Sequence, residues 1–135
     1  MELIRRDTDY AFRLVAKLAA AYGEENSLSA KVLAKETQVS YALASKILQK
    51  LAHEGIVKSI MGPKGGWQLA KAPGKVGFRD VVEAVQGPIS VNRCLLGDFK
   101  CPLKTKCPAH PKMAQLQSEI VGFLDNLTLN EFTEG

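Results

Sequence analysis

The chain has 135 residues, a length that allows one domain with a real hydrophobic core plus an appendage. Apolar residues make up 46% of the chain and charged residues 24%, which excludes a disordered protein, and no apolar run is long enough to span a membrane. The net charge of +4 and the pI of about 9.0 give weak support to a polyanionic partner.

The first predicted element is a helix over residues 7–22. Asp7 or Thr8 is placed to cap its start, and Arg13 and Lys17 lie on its solvated face. Apolar side chains recur at steps of three and four residues on the opposite face, at Ala11, Leu14, Val15, Leu18 and Tyr22. The pattern predicts an amphipathic helix packed on a core.

Two further helices joined by a tight turn are predicted next. Ser29 is expected to cap a short helix that ends near Glu36, and Ser40 a longer one that ends near His53. Gly55 stands where a left-handed helix stop is expected. The arrangement resembles a helix-turn-helix, although an ordinary helical hairpin with a solvated face has the same pattern. The outward face of the longer helix is polar and basic, with Tyr41, Ala42, Ser45, Lys46, Gln49 and Lys50.

A β-hairpin is predicted directly after the two helices. Residues 56–60 and the run that begins at Trp67 predict its strands, and residues 62–66 predict a Gly-rich loop with one cation, Lys64. Such a tip can approach a DNA backbone closely, although the same glycines also suit a plain tight hairpin. A helix-turn-helix followed by a hairpin is the winged-helix arrangement, so residues 1–74 are predicted to form a winged helix-turn-helix DNA-binding domain.

Residues 75–135 are predicted to form a cluster-binding loop and a dimerisation helix. A short amphipathic helix closed by Gly87 is followed by a cysteine loop and then by a longer helix that ends near Leu127. Because the first domain already has a core, the apolar stripe of the longer helix needs a partner, and a second copy is the economical choice. Packing of the stripe back onto the same chain is the alternative, and both can hold at once. The expected fold is therefore mainly α, with a small β-hairpin wing and a long C-terminal dimerisation helix.

All three cysteines lie in one loop, CLLGDFKCPLKTKCPAH, which ends at His110. Six residues separate Cys94 from Cys101, five separate Cys101 from Cys107, and two more precede His110. Dense thiolates indicate a soft-metal or iron–sulfur site. Structural zinc usually takes cysteines in pairs about two to four residues apart, so the spacing favours iron–sulfur and leaves zinc as the rival. The odd cysteine count and the opening MELIRRD, which is no apolar signal segment, disfavour disulfides and predict a reducing cytoplasm.

Together, the winged helix, the wing GPKGGWQLAK, the three-cysteine loop and the closing FLDNLTLNEF resemble the dimeric iron–sulfur transcription regulators that include IscR, NsrR and RirA. The resemblance covers nearly the whole chain. It implies a homodimer joined by helix 112–127, a cluster on the three cysteines, and cluster-dependent binding to promoter DNA. Relatives often carry an arginine before the wing Gly-Pro, where this chain has Met61. Either Lys64 replaces that charge or the minor groove is read weakly.

The resemblance offers two candidates for the fourth cluster ligand. The sequence CPAH, which ends at His110, is similar to the IscR pattern, in which three cysteines and a histidine hold a [2Fe–2S] cluster. The sequence TDYA, which contains Asp9, is similar to the NsrR pattern, in which an aspartate from the partner subunit completes a [4Fe–4S] site. The close TDYA context favours Asp9 and a [4Fe–4S] cluster. Both candidates remain open, because Asp9 also suits the positive end of a helix and His110 also suits a turn.

The leading hypothesis is a cytoplasmic transcription regulator that senses iron supply, oxidants or nitric oxide through its cluster. It would bind double-stranded promoter DNA at a pseudo-palindromic site as a homodimer, with no membrane partner. The predicted dimer seam contains Leu116, Ile120 and Phe123. The residues expected to read DNA are Ser40, Tyr41, Ser45, Lys46 and Gln49, with Lys50 and Lys64 on phosphates.

Other classes of function fit parts of the same pattern. An iron–sulfur electron carrier or cluster-transfer protein would use the cysteine loop and would not bind DNA in a salt-sensitive way. A winged-helix regulator stabilised by zinc would keep the DNA-binding half. An enzyme with a reactive cysteine ranks last, because only His110 is placed as a base and no substrate-cradling motif occurs.

Overall fold

Three N-terminal helices, a β-hairpin and two further helices follow one another along the chain. The computed structural model describes residues 2–24, 27–97, 101–103 and 106–132. Within these residues the hairpin is a two-stranded antiparallel sheet, so the fold is mainly helical with a small wing, as predicted. No helix in the described ranges is long and apolar enough to cross a membrane. The elements are α1 (Arg6–Ala20), α2 (Ala30–Thr37), α3 (Tyr41–His53), β1 (Val57–Ile60), β2 (Gly66–Leu69), α4 (Phe78–Gln86) and α5 (His110–Asp125), with 3-10 turns at Pro73–Lys75, Arg93–Leu95 and Leu129–Phe132.

The two helices of the helix-turn-helix begin and end as the sequence predicts. The Ser29 hydroxyl accepts from the backbone N–H of Val32 at 3.1 Å, and the Ser40 hydroxyl accepts from that of Leu43 at 3.3 Å. Gly55 has a φ of +77°, a left-handed conformation that glycine adopts without a steric penalty. These local signals mark the starts of α2 and α3 and the end of α3.

The start of α1 differs from the prediction. The helix begins at Arg6, and neither Asp7 nor Thr8 caps it. Thr8 is fully buried, and its hydroxyl donates to Oε1 of Gln86 at 2.7 Å. The same oxygen accepts from the backbone N–H of Arg5 at 3.1 Å. A side chain at the end of α4 therefore fastens the start of α1, because the residues that precede the helix supply no cap.

One hydrophobic core joins the N-terminal helices, the hairpin and α4. Tyr22 is half-exposed and lies outside this core, because α1 ends at Ala20 before the predicted face is complete. Each fully buried leucine, isoleucine or valine contributes about 1.5–3 kcal/mol. Residues from beyond position 75 share the core, so the C-terminal part packs onto the N-terminal part. The core includes Leu14, Val15, Leu18, Leu33, Ile47, Leu48, Leu51, Ile56, Val76, Val81 and Leu129.

A third backbone segment supports the wing. The backbone N–H of Leu28 donates to the carbonyl of Trp67 at 3.0 Å, and the N–H of Trp67 donates to the carbonyl of Leu28 at 2.7 Å. The hydroxyl of Ser27 donates to the carbonyl of Lys64 at 2.7 Å. The sequence does not reveal these contacts, because one bridged residue leaves no alternating pattern. The wing is thus held at its second strand and at its tip.

We expect Gly65→Ala to destabilise the wing and the domain with it. A Cβ at position 65 would overlap the backbone carbonyl of Ile60 and would lie 2.8 Å from the carbonyl oxygen of Gly62. These backbone atoms cannot rotate away, so we expect a loss of about 1–3 kcal/mol in unfolding free energy, measured by urea denaturation. Gly97→Ala is the matched control, because nothing lies within 4 Å of its Cβ position. Equal stability of the two variants would contradict the packing described for the wing.

Helix α5 packs back onto α4 through a second apolar cluster. Val82, Ile89 and Leu124 are buried there, and Ile120 and Val121 pack partly against them. The guanidinium of Arg79 on α4 donates to the carboxylate of Asp125 at the end of α5 at 3.2 Å. Packing of the C-terminal helix onto its own chain is therefore observed for one side of that helix.

A capped 3-10 turn, Leu129–Phe132, follows α5. The backbone N–H of Thr128 donates to the carboxylate of Glu131 at 2.8 Å, and this bond lowers the pKa of that carboxyl. The turn buries Leu129 completely in the main core. The end of the described chain is thereby fastened beside α1.

Candidate functional site

The outward face of α3 presents polar and basic side chains, as expected for a recognition helix. Tyr41 is 54% exposed, Lys46 and Gln49 are exposed, and Ser45 and Lys50 are half-buried. The hydroxyl of Ser40 is exposed and caps the helix. This face offers hydrogen-bond donors, acceptors and one aromatic ring, which are the groups that read base edges in a major groove.

Exposed lysines extend the basic surface beyond α3. Lys64 lies in the wing tip and is exposed. Lys31 and Lys35 on α2 and Lys58 on β1 are also exposed, and no sequence motif marks them. Their only signal in the sequence is their position on solvated faces. Exposed ammonium groups around a recognition helix suit contacts with phosphates, which position a protein on DNA without reading its sequence.

The three cysteines are half-buried free thiols in one segment. The sulfur of Cys94 accepts from Nδ2 of Asn92 at 3.5 Å. The carbonyl of Cys107 accepts from the backbone N–H of His110 at 3.3 Å, directly at the start of α5. Cys101 stands between them, and residues 98–100 and 104–105 of the predicted loop lie outside the described residues. Among the described residues, no three His, Cys, Asp or Glu side chains are gathered as a metal ion requires.

His110 carries the strongest structural sign of an absent partner. It is the first residue of α5, and its Nδ1 is buried without a hydrogen-bond partner among the described residues. A buried polar atom left without a partner costs about 1–3 kcal/mol, so such an atom is expected to bind a group. Imidazole nitrogen and thiolate are common ligands of iron. The donor chemistry of this segment therefore fits an iron–sulfur cluster.

Asp9 belongs to no gathered group of possible metal ligands among the described residues. Its carboxylate is exposed and pairs with Nη2 of Arg13 at 3.3 Å. Arg13 also donates through Nη1 to the backbone carbonyl of Thr37 at 3.2 Å, and its guanidinium lies 5.0 Å from the centroid of the Tyr10 ring. Asp9 is thus connected through one side chain to the last residue of α2, immediately before the turn into α3.

Two of the three predicted seam residues on α5 face solvent. Phe123 is 67% exposed and Leu116 is 46% exposed, whereas Ile120 is half-buried against the cluster that contains Leu124. The helix therefore uses one side for its own chain and leaves an apolar side uncovered. Leu116 and Ile120 also border a cavity of about 760 Å³, whose wall includes Leu3, Pro88, Ile89 and Val91.

Comparison with known proteins gives a family match over nearly the whole chain. The model of the Rrf2 family, described as iron-dependent transcriptional regulators, matches residues 4–135. The HTH-type transcriptional regulator IscR of Cronobacter sakazakii is 32% identical over 93 residues, which cover 69% of this chain and 57% of that protein. The chain thus spans little more than half the length of this relative.

Solved structures share the fold. CymR (YrzC), described as the global cysteine regulator of B. subtilis, has a TM-score of 0.80 and 25% identity, with 99% of this chain and 98% of that chain covered. IscR of T. potens has a TM-score of 0.73 and 21% identity, with 97% and 85% covered. These relatives are regulators of transcription and not enzymes, as the sequence predicted. The chain belongs to the Rrf2 family of winged-helix transcriptional regulators.

Proposed function

We propose that this regulator binds promoter DNA as a homodimer and that an iron–sulfur cluster on Cys94, Cys101 and Cys107 controls the binding. The observation that carries the proposal is the buried Nδ1 of His110, which lacks a partner among the described residues and lies in the segment of three free thiols. Such a cluster, when bound, would supply iron that can react with oxidants or nitric oxide, and the amount of cluster would follow the iron supply. We expect a regulator that binds promoter DNA to act in the cytoplasm.

The exposed face of α3 is proposed to read the DNA. Tyr41, Ser45, Lys46 and Gln49 would reach base edges in the major groove, with Ser40 at the N-terminus of the helix. Lys50 and the wing residue Lys64 would contact phosphates, which gives a salt-dependent affinity. A symmetric dimer presents two such faces, so the expected site is pseudo-palindromic.

Lys46→Ala and Gln49→Ala are expected to weaken DNA binding, each by roughly tenfold, because one good base contact is worth about 1–3 kcal/mol. Fluorescence anisotropy with a labelled promoter duplex measures the change, and the visible spectrum of the protein should stay as in the wild type. Lys75→Ala is the matched control, since it removes the same charge from an exposed lysine on the 3-10 turn after the wing. Wild-type affinity of both α3 variants would mean that another surface reads DNA.

Contacts along the chain support a route from the cysteine segment to α3. The backbone N–H of Val91, three residues before Cys94, donates to Oε1 of Gln117 on α5 at 3.1 Å. Helix α5 contacts α4, and α4 contacts both α1 and α3. Cluster binding or loss would change the conformation of residues 94–110. This change would therefore move α5 and α4, and through them the recognition helix.

The fourth ligand is proposed to be Asp9 or His110. The buried nitrogen of His110 supports the histidine, which would suit a [2Fe–2S] cluster. For Asp9, the ion pair with Arg13 supplies a relay, because release of Arg13 would disturb its bond to Thr37 before the turn into α3. An aspartate donated by the partner subunit would suit a [4Fe–4S] cluster, the type favoured by the sequence.

The two halves of the chain are proposed to have separate roles. Residues 1–74 would read DNA, and residues 75–135 would hold the cluster and the dimer partner. The division concerns function and not packing, because Val81 and Leu129 belong to the main core.

A second candidate function is regulation in response to cysteine supply without a cluster. The likeness to CymR, described as a global cysteine regulator, favours it. Purification without oxygen, followed by an iron and acid-labile sulfide count, separates the two. Equal amounts of iron and sulfide are expected. DNA binding by protein that contains neither iron nor sulfide would favour the cysteine regulator. Zinc without sulfide would favour the zinc-stabilised regulator. An iron–sulfur cluster in a protein that does not bind DNA would favour an electron carrier.

A further inference from the structure

Met61 holds an apolar side chain out into solvent at the wing. It directly follows β1 and is 90% exposed, more than any other exposed large hydrophobic side chain among the described residues. A single exposed apolar residue is ordinary on a protein surface. This one lies in the hairpin wing, three residues before the exposed cation Lys64.

The backbone around Met61 is fixed by several contacts. Gly62 has a φ of +110°, and its carbonyl accepts from the N–H of Gly65 at 2.9 Å. Pro63 has a restricted φ, and the carbonyl of Lys64 accepts from the hydroxyl of Ser27 at 2.7 Å. The methionine is therefore presented by a closed turn and does not sit in a loose loop.

The chemistry of the tip combines one apolar side chain with one nearby cation. Lys64 can contact a phosphate, while Met61 has nothing to offer to the negative potential of a narrow minor groove. An unbranched thioether with three rotatable bonds adapts to an irregular apolar gap. Methionine is among the side chains that proteins insert between base steps from the minor groove.

We propose that Met61 enters the DNA minor groove beside the wing as an apolar wedge and makes the protein select flexible pyrimidine–purine steps there. TA and CA/TG steps unstack at the lowest cost, so they would accept the side chain most readily. The inference rests on the proposed function, because it needs DNA binding by α3 and the wing. It assigns a specificity-determining residue that the base contacts of α3 do not include.

The proposal explains how the wing can select sequence without a charge in the groove. Burial of the methionine side chain supplies the free energy that opening the base step consumes. A stiff A-tract in the same place would resist opening and would leave the side chain in water. The preference should therefore appear at symmetric positions outside the segment that α3 reads.

The test is selection from a pool of duplexes in which both the core sequence read by α3 and its flanks are randomised. Fluorescence anisotropy then measures the affinity of the selected duplexes. Wild-type protein should enrich TA or CA/TG steps at symmetric flanking positions. Met61→Ala should keep the core sequence, lose the flank enrichment and bind the wild-type duplex roughly tenfold more weakly. Met61→Arg should move the enrichment to A-tracts. Lys64→Ala is the contrasting variant, since loss of a phosphate contact should weaken binding to all selected duplexes alike.

The selection experiment tests the role of Met61 separately from DNA binding by α3. Since Met61 is exposed, its replacement leaves the core unchanged, and loss of folding does not obscure the result. An enriched core sequence whose flanks are identical for wild type and Met61→Ala would overturn the wedge and leave DNA reading by α3 intact. No enriched sequence with wild-type protein in either cluster state would overturn the proposed function and the wedge together.

Discussion

Replacement of any one of Cys94, Cys101 or Cys107 by alanine is expected to abolish or severely reduce the visible iron–sulfur absorption of protein purified without oxygen. Loss of one thiolate leaves an iron incompletely held, and no other cysteine exists in the chain to replace it. None of the three belongs to either hydrophobic cluster of the described residues, so the variants should fold. Absorption spectra, iron and sulfide counts and circular dichroism measure both expectations. Three variants with wild-type spectra would contradict the proposed cluster site.

Loss of the fourth ligand should have a milder effect, since water or an added thiol can replace a carboxylate or an imidazole. If Asp9 is the ligand, Asp9→Ala should change the spectrum and shorten the cluster lifetime while His110→Ala stays close to wild type. The reverse result assigns His110. Asp7→Ala is the matched control for Asp9→Ala, because it removes a carboxylate two residues away. His53→Ala is the matched control for His110→Ala, because it removes an imidazole from the end of α3. Wild-type clusters in both test variants would exclude both residues and the relay through Arg13.

Phe123→Glu is expected to convert the protein from a dimer into a monomer. Phe123 is 67% exposed, and a charge placed without a partner in an apolar seam costs several kcal/mol. Leu116→Glu should act in the same way. Ile120→Glu is a weaker test, because Ile120 also packs against the cluster with Val82, and the variant would damage the monomer itself.

Sedimentation velocity measures the change in oligomeric state. Ser118→Glu adds the same charge to an exposed position of α5 outside the apolar stripe and should leave the dimer intact. A dimeric Phe123→Glu variant would place the interface elsewhere on the molecule, and a monomeric wild type would remove the dimer from the proposed function.

Local signals carried most of the fold prediction. Ser29 and Ser40 mark the starts of α2 and α3, and Gly55 marks the end of α3. Their signals act within a few residues, so they can be recognised in the sequence. The fastening of Thr8 by Gln86 spans 78 positions and leaves no local pattern. The predicted cap of α1 was wrong for this reason, because the bond that replaces the cap comes from a distant helix.

The sequence suggests which residues form the candidate site but not how they are arranged. The spacing of Cys94, Cys101 and Cys107 predicts a donor set, which stays a prediction, and the alternation of polar and apolar positions predicts the exposed face of α3. The burial of the His110 nitrogen and the ion pair of Asp9 with Arg13 depend on packing and side-chain geometry. The choice between the two fourth ligands therefore needs evidence beyond the sequence.

Control of DNA binding by the cluster can be measured as the affinity of one labelled promoter duplex for the protein with and without its cluster. Fluorescence anisotropy without oxygen gives the Kd of the protein as purified and again after a chelator has removed the iron. If the cluster controls binding, the two Kd values should differ by roughly tenfold or more, which corresponds to a coupling of about 1.4 kcal/mol. Equal Kd values in the two states would show that the cysteine segment does not control DNA binding.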